Sequence, residues 1–378
     1  MSGLFGLGLP VLHSCASLFT NNSLKPTDRV LIIGAGAAGL SAAYLLHQKG
    51  IEVEILEADR VYGGRMKRTT DFANFPIPTG AEWLHTKKSV LADIVNDSSV
   101  EIKTVTKPYN PEVDYALIDG KKEKLKKLGF TIDRKFINAT WFDFFEQYIV
   151  PSIKGKIRFN QVVTSINYSG NQVNIDTNKA KYTADRVIVT VPVKMLQNNA
   201  ITFTPKLPED KSKAIQNITV WGGCKAFIEF SEKFYPAATG FESIPIEQGH
   251  KLFYDAAYGQ NTSQHILGLF AVDPVADAYL KRKGIALIQY ILAELDQLFE
   301  GKATQYYKKL IFLNWTEAHY AQGAYVYYLE NWKNIRMLGK SVEDKLYFAG
   351  DAYTNGSTWS SVHAAAQSAK RVVKQLVG

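Results

Sequence analysis

The chain has 378 residues, of which 46% are hydrophobic and 12% aromatic, so it can bury a large core and divide into two domains. Its two cysteines, Cys15 and Cys224, exclude a disulfide framework, and no apolar stretch is long enough for a membrane-spanning helix. The formal net charge is +8, but no nucleic-acid-binding module accompanies it, so we expect no nucleic-acid partner.

Residues 1–25 are expected to form an irregular N-terminal extension. Leu4–Phe19 is mildly apolar, and Leu12–Cys15 weakly resembles a lipoprotein cleavage box. The stretch lacks the basic start of a signal peptide. We therefore expect a cytoplasmic protein, with export or a lipid anchor as the alternative.

A glycine-rich turn follows the first predicted strand. Arg29–Ile33 is a short apolar run typical of a buried parallel strand, and Gly34, Gly36 and Gly39 follow with the spacing G-x-G-x-x-G. In a dinucleotide-binding turn the first glycine permits the tight turn, the second lets the backbone approach a pyrophosphate, and the third lets a helix pack on the strand. The N-terminus of that helix offers free N–H groups to phosphate, and Ala38 lies in the turn that precedes it.

The next segments complete a strand–helix–strand unit. Leu40–Lys49 predicts a helix that ends at Gly50, and Ile51–Leu56 predicts the second strand. Glu57 follows at the offset of roughly 20 residues expected for a carboxylate that binds ribose hydroxyls. A chance glycine turn is the alternative, but the ordered strand, helix, strand and acid favour a bound dinucleotide.

A second glycine turn favours FAD over NAD. Gly63, Gly64 and Arg65 come directly after the second strand, where two glycines suit another close backbone approach and a guanidinium suits a phosphate. The alternative is a surface turn with a solvated arginine. Taken with the preceding acid, the motifs resemble those of the flavin-containing amine oxidases, the family that includes monoamine oxidases, polyamine oxidases and lysine-specific histone demethylases.

The resemblance covers most of the chain from about Asp28 onward. It implies that Thr79–His85 lies against the flavin, that the strands at Val162–Ile166 and Asp185–Pro192 return to the FAD domain, and that Phe348–Asp351 begins a closing motif. The first of these strands usually contacts the adenine side. The motifs and the resemblance together predict these cofactor-binding residues: Gly34, Gly36, Ala38, Gly39, Glu57, Gly64, Arg65, Gly80, Ala81, Glu82, Trp83, Val163, Gly350, Asp351, Ser361 and Val362.

Three positions depart from the family pattern. Asp351 stands where many members have glutamate. Ala324 occupies the position where monoamine oxidases have the cysteine that bonds to flavin, so we expect noncovalent FAD. Tyr325 retains the first tyrosine of the monoamine oxidase aromatic pair, but Val362 replaces the second, and the pair is incomplete unless Trp359 or another ring supplies the missing wall.

The implied fold class is α/β, a Rossmann-type FAD-binding domain interwoven with an α+β substrate domain. We expect residues 26–84, 155–204 and 325–378 in the FAD-binding domain. Residues 85–154 and 205–324 are expected in the substrate-binding domain.

Three elements of the substrate domain can be predicted from their pattern. Thr140–Ile149 predicts a buried helix, and Lys225–Phe230 predicts a strand with alternating faces. Gly284–Phe299 predicts a helix with an apolar face made of Ile285, Leu287, Ile288, Ile291, Leu292, Leu295 and Leu298.

The resemblance implies an FAD-dependent oxidoreductase that moves a hydride equivalent from the carbon beside an amine nitrogen to flavin N5. Reoxidation by O2 would give hydrogen peroxide, with an imine that becomes an aldehyde and ammonia or an amine. The candidate catalytic residues are Lys225, Tyr325, Trp315 and His85.

Each candidate has a structural alternative. A lysine is out of place on the apolar strand of Lys225 unless it reaches solvent or has a function; by resemblance it contacts flavin N5 through a water, and the alternative is an exposed strand face. Tyr325 and Trp315 are expected to be pocket walls or ordinary core residues. His85 either guides the amine and accepts a proton or is structural, and Glu82 either faces the flavin or forms an ion pair.

Two other functions remain open: a carotenoid-desaturase-like or protoporphyrinogen-oxidase-like flavoenzyme, and a flavin-binding protein without turnover. Lys225 and the Trp315–Tyr325 segment argue against the first. The sequence leaves a monoamine, a polyamine and an amino acid open as substrates, predicts no metal site, and does not predict an oligomeric state.

Overall fold

The computed structural model describes residues 24, 27–109, 116–124, 133–327 and 329–378. Of the expected N-terminal extension, only Leu24 belongs to these ranges, and its N–H donates to the carbonyl of Leu376 at 2.8 Å. Cys15 and the stretch that resembles a cleavage box lie outside the described residues. Within the described ranges, none of the helices has the length and apolarity needed to cross a membrane.

The strands of the described ranges are short, and most belong to one parallel and one largely antiparallel sheet. In chain order they are β1 (Arg29–Ile33), β2 (Glu52–Leu56), β3 (Thr106–Pro108), β4 (Ala116–Ile118), β5 (Lys121–Glu123), β6 (Arg134–Phe136), β7 (Ile157–Arg158), β8 (Val163–Asn167), β9 (Val173–Thr177), β10 (Lys181–Ala184), β11 (Arg186–Val189), β12 (Thr202–Thr204), β13 (Val220–Trp221), β14 (Gly223–Phe230), β15 (Ala238–Gly240), β16 (His250–Asp255), β17 (His265–Val272), β18 (Tyr307–Asn314), β19 (Tyr325–Val326) and β20 (Leu346–Phe348).

The helices of the same ranges include two long ones of 16 residues each, Gly284–Phe299 and Val362–Val377. In chain order they are α1 (Ala37–Gln48), α2 (Val90–Val95), α3 (Trp141–Tyr148), α4 (Val150–Ile153), α5 (Val193–Gln197), α6 (Glu209–Asn217), α7 (Asp277–Leu280), α8 (Gly284–Phe299), α9 (Lys302–Tyr306), α10 (Trp332–Leu338) and α11 (Val362–Val377).

A parallel sheet places both sequence signatures at one edge. Among the described strands the order is β20–β11–β1–β2–β7, and every neighbouring pair is parallel. The carboxyl ends of parallel strands meet at the same edge of a sheet. The turn at Gly34, the carboxylate of Glu57 and the loop at Gly350 therefore all follow strands that end at this edge.

The first strand–helix–strand unit forms as its sequence predicts. β1 has the predicted bounds and is buried. α1 begins at Ala37 rather than at Leu40, because Gly36 takes the N-cap position. Gly50, with φ of 72°, ends the unit's helix in the left-handed conformation that glycine adopts without strain. α1 then packs against α11 in the core below the parallel sheet.

A second sheet, in the order β18–β14–β17–β16–β15–β4–β5 among the described strands, is largely antiparallel. The predicted strand at Lys225–Phe230 lies within β14, and its residues alternate between two faces that are both buried. Ala226 and Ile228 pack in the core that includes α8, while Phe227 packs in another core with Phe72. A central strand covered on both faces has no solvent-facing side.

Two predicted helices are present with one misassigned residue. α8 has the predicted bounds, and Leu287, Ile291, Leu292 and Leu295 are buried. Ile285 is 68% exposed, so its assignment to the apolar face is wrong: it lies in the first turn, before the helix reaches the sheet.

The predicted buried helix at Thr140–Ile149 is α3. It begins at Trp141, because Thr140 is its N-cap and forms a capping box with Asp143.

Candidate functional site

Two glycine turns face each other backbone to backbone at the edge of the parallel sheet. Gly34 has φ of +102°, and a Cβ placed on Gly39 would lie 1.9 Å from the carbonyl oxygen of Gly34. A Cβ placed on Gly64 would lie 3.1 Å from Cα of Gly36. Side chains at these positions would collide with backbone, so the glycines let the first turn close on its helix and let the two turns approach each other closely.

The N-terminus of α1 lies at the first of these two turns. Gly36 is the N-cap and gives no side-chain hydrogen bond, and the first intrahelical bond runs from the N–H of Leu40 to the carbonyl of Gly36 at 2.9 Å. The N–H groups of residues 37–39, including Ala38, therefore have no acceptor within the helix. Together with the helix dipole they form a site suited to an anion such as phosphate.

Glu57 is buried beside the first turn. Its Oε2 accepts from the N–H of Ala35 at 2.6 Å and its Oε1 from the N–H of Asp59 at 2.8 Å. Burial raises the pKa of Glu57, and these hydrogen bonds act against that rise. The N–H of Gln161 donates to the backbone carbonyl of Glu57 at 2.8 Å, which brings the segment just before β8, the strand that begins at Val163, next to Glu57.

Arg65 connects the second glycine turn to the closing motif. Its guanidinium forms an ion pair with Asp351 and donates to the carbonyl of Ala324. Both side chains are mostly buried. Arg65 therefore holds together three parts of the chain: its own turn, the loop after β20, and the residue before Tyr325. A cofactor that spans both sequence signatures requires these parts to lie close together.

The Gly80–Trp83 segment lies between the second glycine turn and Trp315. The N–H of Ala81 donates to the carbonyl of Arg65 at 2.8 Å, and the indole N–H of Trp315 donates to the carbonyl of Thr79 at 2.9 Å. A Cβ on Gly80 would lie 1.9 Å from the carbonyl oxygen of Arg65 and 2.9 Å from the Trp315 ring. Only glycine fits there.

Lys225 is buried, not on an exposed strand face. It is 6% exposed, and its Nζ donates to Glu82 Oε2 at 2.7 Å and to the carbonyls of Pro78 and Gly80 at 2.8 and 3.1 Å. Of the two interpretations of Glu82, the ion pair is present. Lys225 thereby joins β14 to the segment that the sequence places against the flavin.

Sequence reasoning missed two further partners of Glu82. Lys135 on β6 places its Nζ 3.2 Å from Glu82 Oε1, and the hydroxyl of Tyr254 on β16 donates to Glu82 Oε2. Burial alone raises the pKa of Glu82, but the charges of Lys225 and Lys135 outweigh it and hold the pKa below its usual value. Burial lowers the pKa of Lys225, against the opposing effect of Glu82.

Tyr325 belongs to an aromatic group. Its ring stacks parallel to Phe270, with centroids 6.3 Å apart, and lies 6.0 Å from the Trp221 ring. β19, which carries Tyr325, pairs with β13, which carries Trp221. Trp359 donates its indole N–H to the carbonyl of residue 327 at 3.0 Å. Trp221 and Phe270 are therefore aromatic neighbours of Tyr325 that the motif comparison did not predict.

His85 lies close to the start of α11. Its Nδ1 is 2.9 Å from Asp133 Oδ1, and its side chain is 47% exposed. Ser361 caps α11 by accepting from the N–H of residue 364 at 3.2 Å, and Val362 is the first residue of the helix. The pKa of His363 is lowered to about 4, mainly because the ring is buried and secondly because of the charge of His85. His363 is therefore neutral at pH 7.

Comparison with known proteins decides the family. The model described as flavin containing amine oxidoreductase matches residues 37–152 and 145–377. The chain belongs to this family. Polyamine oxidase 2 of Arabidopsis thaliana is 23% identical over 89% of this chain and 85% of its own length. Lysine-specific histone demethylase 2 of Homo sapiens is 24% identical over 89% of this chain and 52% of its own length.

A solved structure supports the same fold. Wild-type putrescine oxidase bound to putrescine superposes with a TM-score of 0.75 at 15% identity, over 93% of this chain and 99% of that one. The predicted two-domain α/β amine oxidase fold is thus confirmed. With the family match, the prediction of an FAD-dependent oxidoreductase that acts on CH–NH groups is also confirmed.

The geometry at the carboxyl edge of the parallel sheet fits the FAD that this family binds. The Gly36 and Gly64 turns bring only backbone close to the α1 N-terminus, which suits the pyrophosphate, and Glu57 retains acceptor capacity for ribose hydroxyls. Nδ1 of His363 is buried and has no hydrogen-bond partner among the described residues, next to Ser361 and Val362. The described residues contain no cluster suited to a metal ion.

A polar cavity of about 590 Å³ lies elsewhere, on the sheet of β8–β10. None of the predicted site residues lines it, so it is not the candidate site. Its lining residues are Arg29, Asn167, Asn174, Asp176, Lys181, Tyr182 and Thr183.

Proposed function

We propose that this amine oxidoreductase removes a hydride equivalent from the carbon beside an amine nitrogen and uses O2 as the final acceptor. The products would be an imine, which hydrolyses to an aldehyde and ammonia or an amine, and hydrogen peroxide. The observation that carries the proposal is the buried Lys225, which binds the Pro78–Glu82 segment. The same segment contacts the Gly63–Arg65 turn through the N–H of Ala81.

FAD, when bound, supplies the acceptor for the hydride equivalent and its transfer to O2. The residues of this chain hold and orient it: the two glycine turns and α1 at the pyrophosphate, Glu57 at the ribose, and Asp351 with Arg65 between the two. Lys225 contributes a fixed positive charge next to the segment that faces the ring, and such a charge favours electron-rich states of the site.

We propose that FAD is bound without a covalent bond. Ala324 has no nucleophilic side chain. Cys224 is buried in β14, and burial raises the pKa of its thiol to about 12, so the reactive thiolate is scarce at neutral pH. Acid precipitation should therefore release all the FAD into the supernatant; yellow colour in the washed pellet would contradict this.

The substrate class that we propose is a diamine or polyamine. Two observations support it: the similarity to polyamine oxidases over most of the chain, and the carboxylate of Asp133 behind the half-exposed His85, which can stabilise a nearby ammonium group. Tyr325, Trp221 and Phe270 supply aromatic faces that suit an amine cation.

The domain division follows the two sheets in this proposal. Every strand of the parallel sheet falls in residues 26–84, 155–204 or 325–378, which we assign to FAD, and every strand of the β14 sheet falls in residues 85–154 or 205–324. A cytoplasmic location stays a prediction, which cell fractionation would test.

The test is anaerobic mixing of the purified protein with a panel of diamines, polyamines, monoamines and amino acids, followed by admission of air. The proposal predicts that polyamines bleach the oxidised-flavin absorbance and that peroxide appears with the returning colour. A flavin that no amine bleaches would contradict amine oxidation. Bleaching without peroxide would leave the amine chemistry intact and refute O2 as the acceptor.

A further inference from the structure

A buried carboxylate between two lysines lies behind the segment that faces the flavin. Glu82 binds Lys225 through Oε2 at 2.7 Å and Lys135 through Oε1 at 3.2 Å. The side chains of Glu82, Lys225 and Lys135 are 3%, 7% and 3% exposed. Buried charged side chains are rare unless they are paired, and here one carboxylate serves two ammonium groups.

Lys225 has a partner for each of its donors. A lysine ammonium has three N–H groups, and their acceptors are the carbonyls of Pro78 and Gly80 and the carboxylate of Glu82. Two of these acceptors are backbone atoms of the segment that contacts the Gly63–Arg65 turn. The ammonium therefore has one fixed position relative to that turn.

Lys135 is equally enclosed. Its Nζ donates to the carbonyls of Asp255 and Ala256 at 3.2 and 2.8 Å. Its charge also faces aromatic rings, an arrangement that stabilises a desolvated cation. The ring centroids lie 5.4, 5.9 and 5.5 Å from Nζ in Trp83, Tyr109 and Tyr254.

We propose that Glu82 and Lys135 are positioning residues for Lys225: the carboxylate fixes the ammonium against the Pro78–Gly80 backbone, and Lys135 fixes the carboxylate. This inference rests on the proposed function only where it assigns Lys225 to the flavin side. Loss of one member of a buried ion pair leaves an uncompensated charge. Without Glu82, two ammonium groups would face each other across a neutral side chain, and Lys225 would lose its proton or turn away.

The first test maps acetylation of each lysine by peptide mass spectrometry, with acetic anhydride as the reagent, on apoprotein and on FAD-loaded protein. Glu82→Gln keeps the shape and removes the charge. The inference predicts that Lys225 is protected in the unmodified protein and is acetylated several-fold faster in Glu82→Gln. Glu229→Gln is the matched control, because Glu229 lies on the same strand and also binds two lysines, Lys308 and Lys309.

The second test places Lys135 in a double-mutant cycle. Lys135→Met leaves the Glu82–Lys225 pair alone, and Glu82→Gln with Lys135→Met removes the second ammonium as well as the carboxylate. Since the two lysines repel each other, the double variant should protect Lys225 better than Glu82→Gln alone. Glu82→Asp, which keeps the charge on a shorter arm, should restore part of the protection. These variants also decide the matter if Glu82→Gln does not fold.

The rate of FAD reoxidation during turnover provides a third test. Reoxidation of bound FAD should slow about 10- to 100-fold in Glu82→Gln, with the amine KM unchanged, and should not slow in Glu229→Gln. Equal acetylation of Lys225 in Glu82→Gln and unmodified protein would overturn the inference. If the unmodified protein oxidises no amine, the proposed function fails, but the acetylation pattern still decides whether Glu82 positions Lys225.

Discussion

Arg65 forms an ion pair with Asp351, although 286 positions separate them in the sequence. The pair joins the turn after β2 to the loop after β20, at the carboxyl edge of the parallel sheet that we assign to FAD. Arg65 also reaches the carbonyl of Ala324, which precedes Tyr325. One guanidinium thus links the cofactor edge to the aromatic group.

Arg65→Lys should weaken FAD binding. The lysine keeps the positive charge, but a single ammonium cannot bind Asp351 and Ala324 with the fork of a guanidinium. We expect the FAD dissociation constant to rise about tenfold, equivalent to about 1.4 kcal/mol, in a titration of apoprotein followed by flavin fluorescence. Arg68→Lys is the control, because Arg68 pairs with Asp143 and Glu146 instead. Equal affinities for FAD in the Arg65 variant and the unmodified protein would refute the assignment.

Gly64→Ala should lower the amount of bound FAD, and a control variant with a similar loss of stability should not. Gly64 has φ of +56°, so alanine adds backbone strain. Its Cβ would also lie 3.1 Å from Cα of Gly36, where the two glycine turns meet. Gly50→Ala provides the control: φ is +72°, but nothing lies within 4 Å of the added Cβ. We expect both variants to lose about 1 kcal/mol of unfolding free energy, and only Gly64→Ala to lose FAD. Similar FAD content in the two variants would show that FAD does not bind beside the two glycine turns.

Lys211 should give the protein a stability that rises with pH above neutrality. It lies inside the fold on α6 and donates to the carbonyls of Met337, Leu338 and Lys340. Burial lowers its pKa from 10.5 to about 7. Between these values the unfolded chain binds more protons than the folded chain, so the free energy of unfolding rises with pH, by at most about 1.4 kcal/mol per pH unit.

Lys211→Met tests this pH dependence in urea titrations at a series of pH values. The variant should lose the rise in unfolding free energy between about pH 7 and pH 10 that the unmodified protein shows. Lys213→Met, on the same helix but exposed and paired with Glu209, should keep it. The same rise in the Lys211 variant would exclude Lys211 as the source.

The sequence predicts the parts of the fold that depend on local signals. β1 and α8 have the predicted bounds, because apolar periodicity and flanking glycines are encoded within one segment. Burial of both faces of β14 was not predictable, since it depends on α8 on one side and the Phe72 region on the other. Ile285 matches the helical period, but it precedes the point where α8 meets the sheet.

The residues of the candidate site also fall into two groups, those that belong to a local sequence motif and those that do not. The glycine turns, Glu57 and Lys225 are recognisable, because each belongs to a short motif. Lys135 and Tyr254 lack a motif, and β6 and β16 bring them to Glu82 from two separate, later parts of the chain. A lysine between Arg134 and the apolar Phe136 was the one available signal, and it resembles an ordinary exposed strand.

The most direct measurement concerns Lys225 and separates the two half-reactions. Stopped-flow absorbance would follow bleaching of the flavin by a polyamine without oxygen, and then the return of colour with O2, in Lys225→Met and in Lys308→Met as the control on β18. The account predicts that Lys225→Met keeps bound yellow FAD while one half-reaction slows about 100-fold, and that Lys308→Met matches the unmodified protein. Unchanged rates of both half-reactions in Lys225→Met would contradict a role for Lys225 at the flavin.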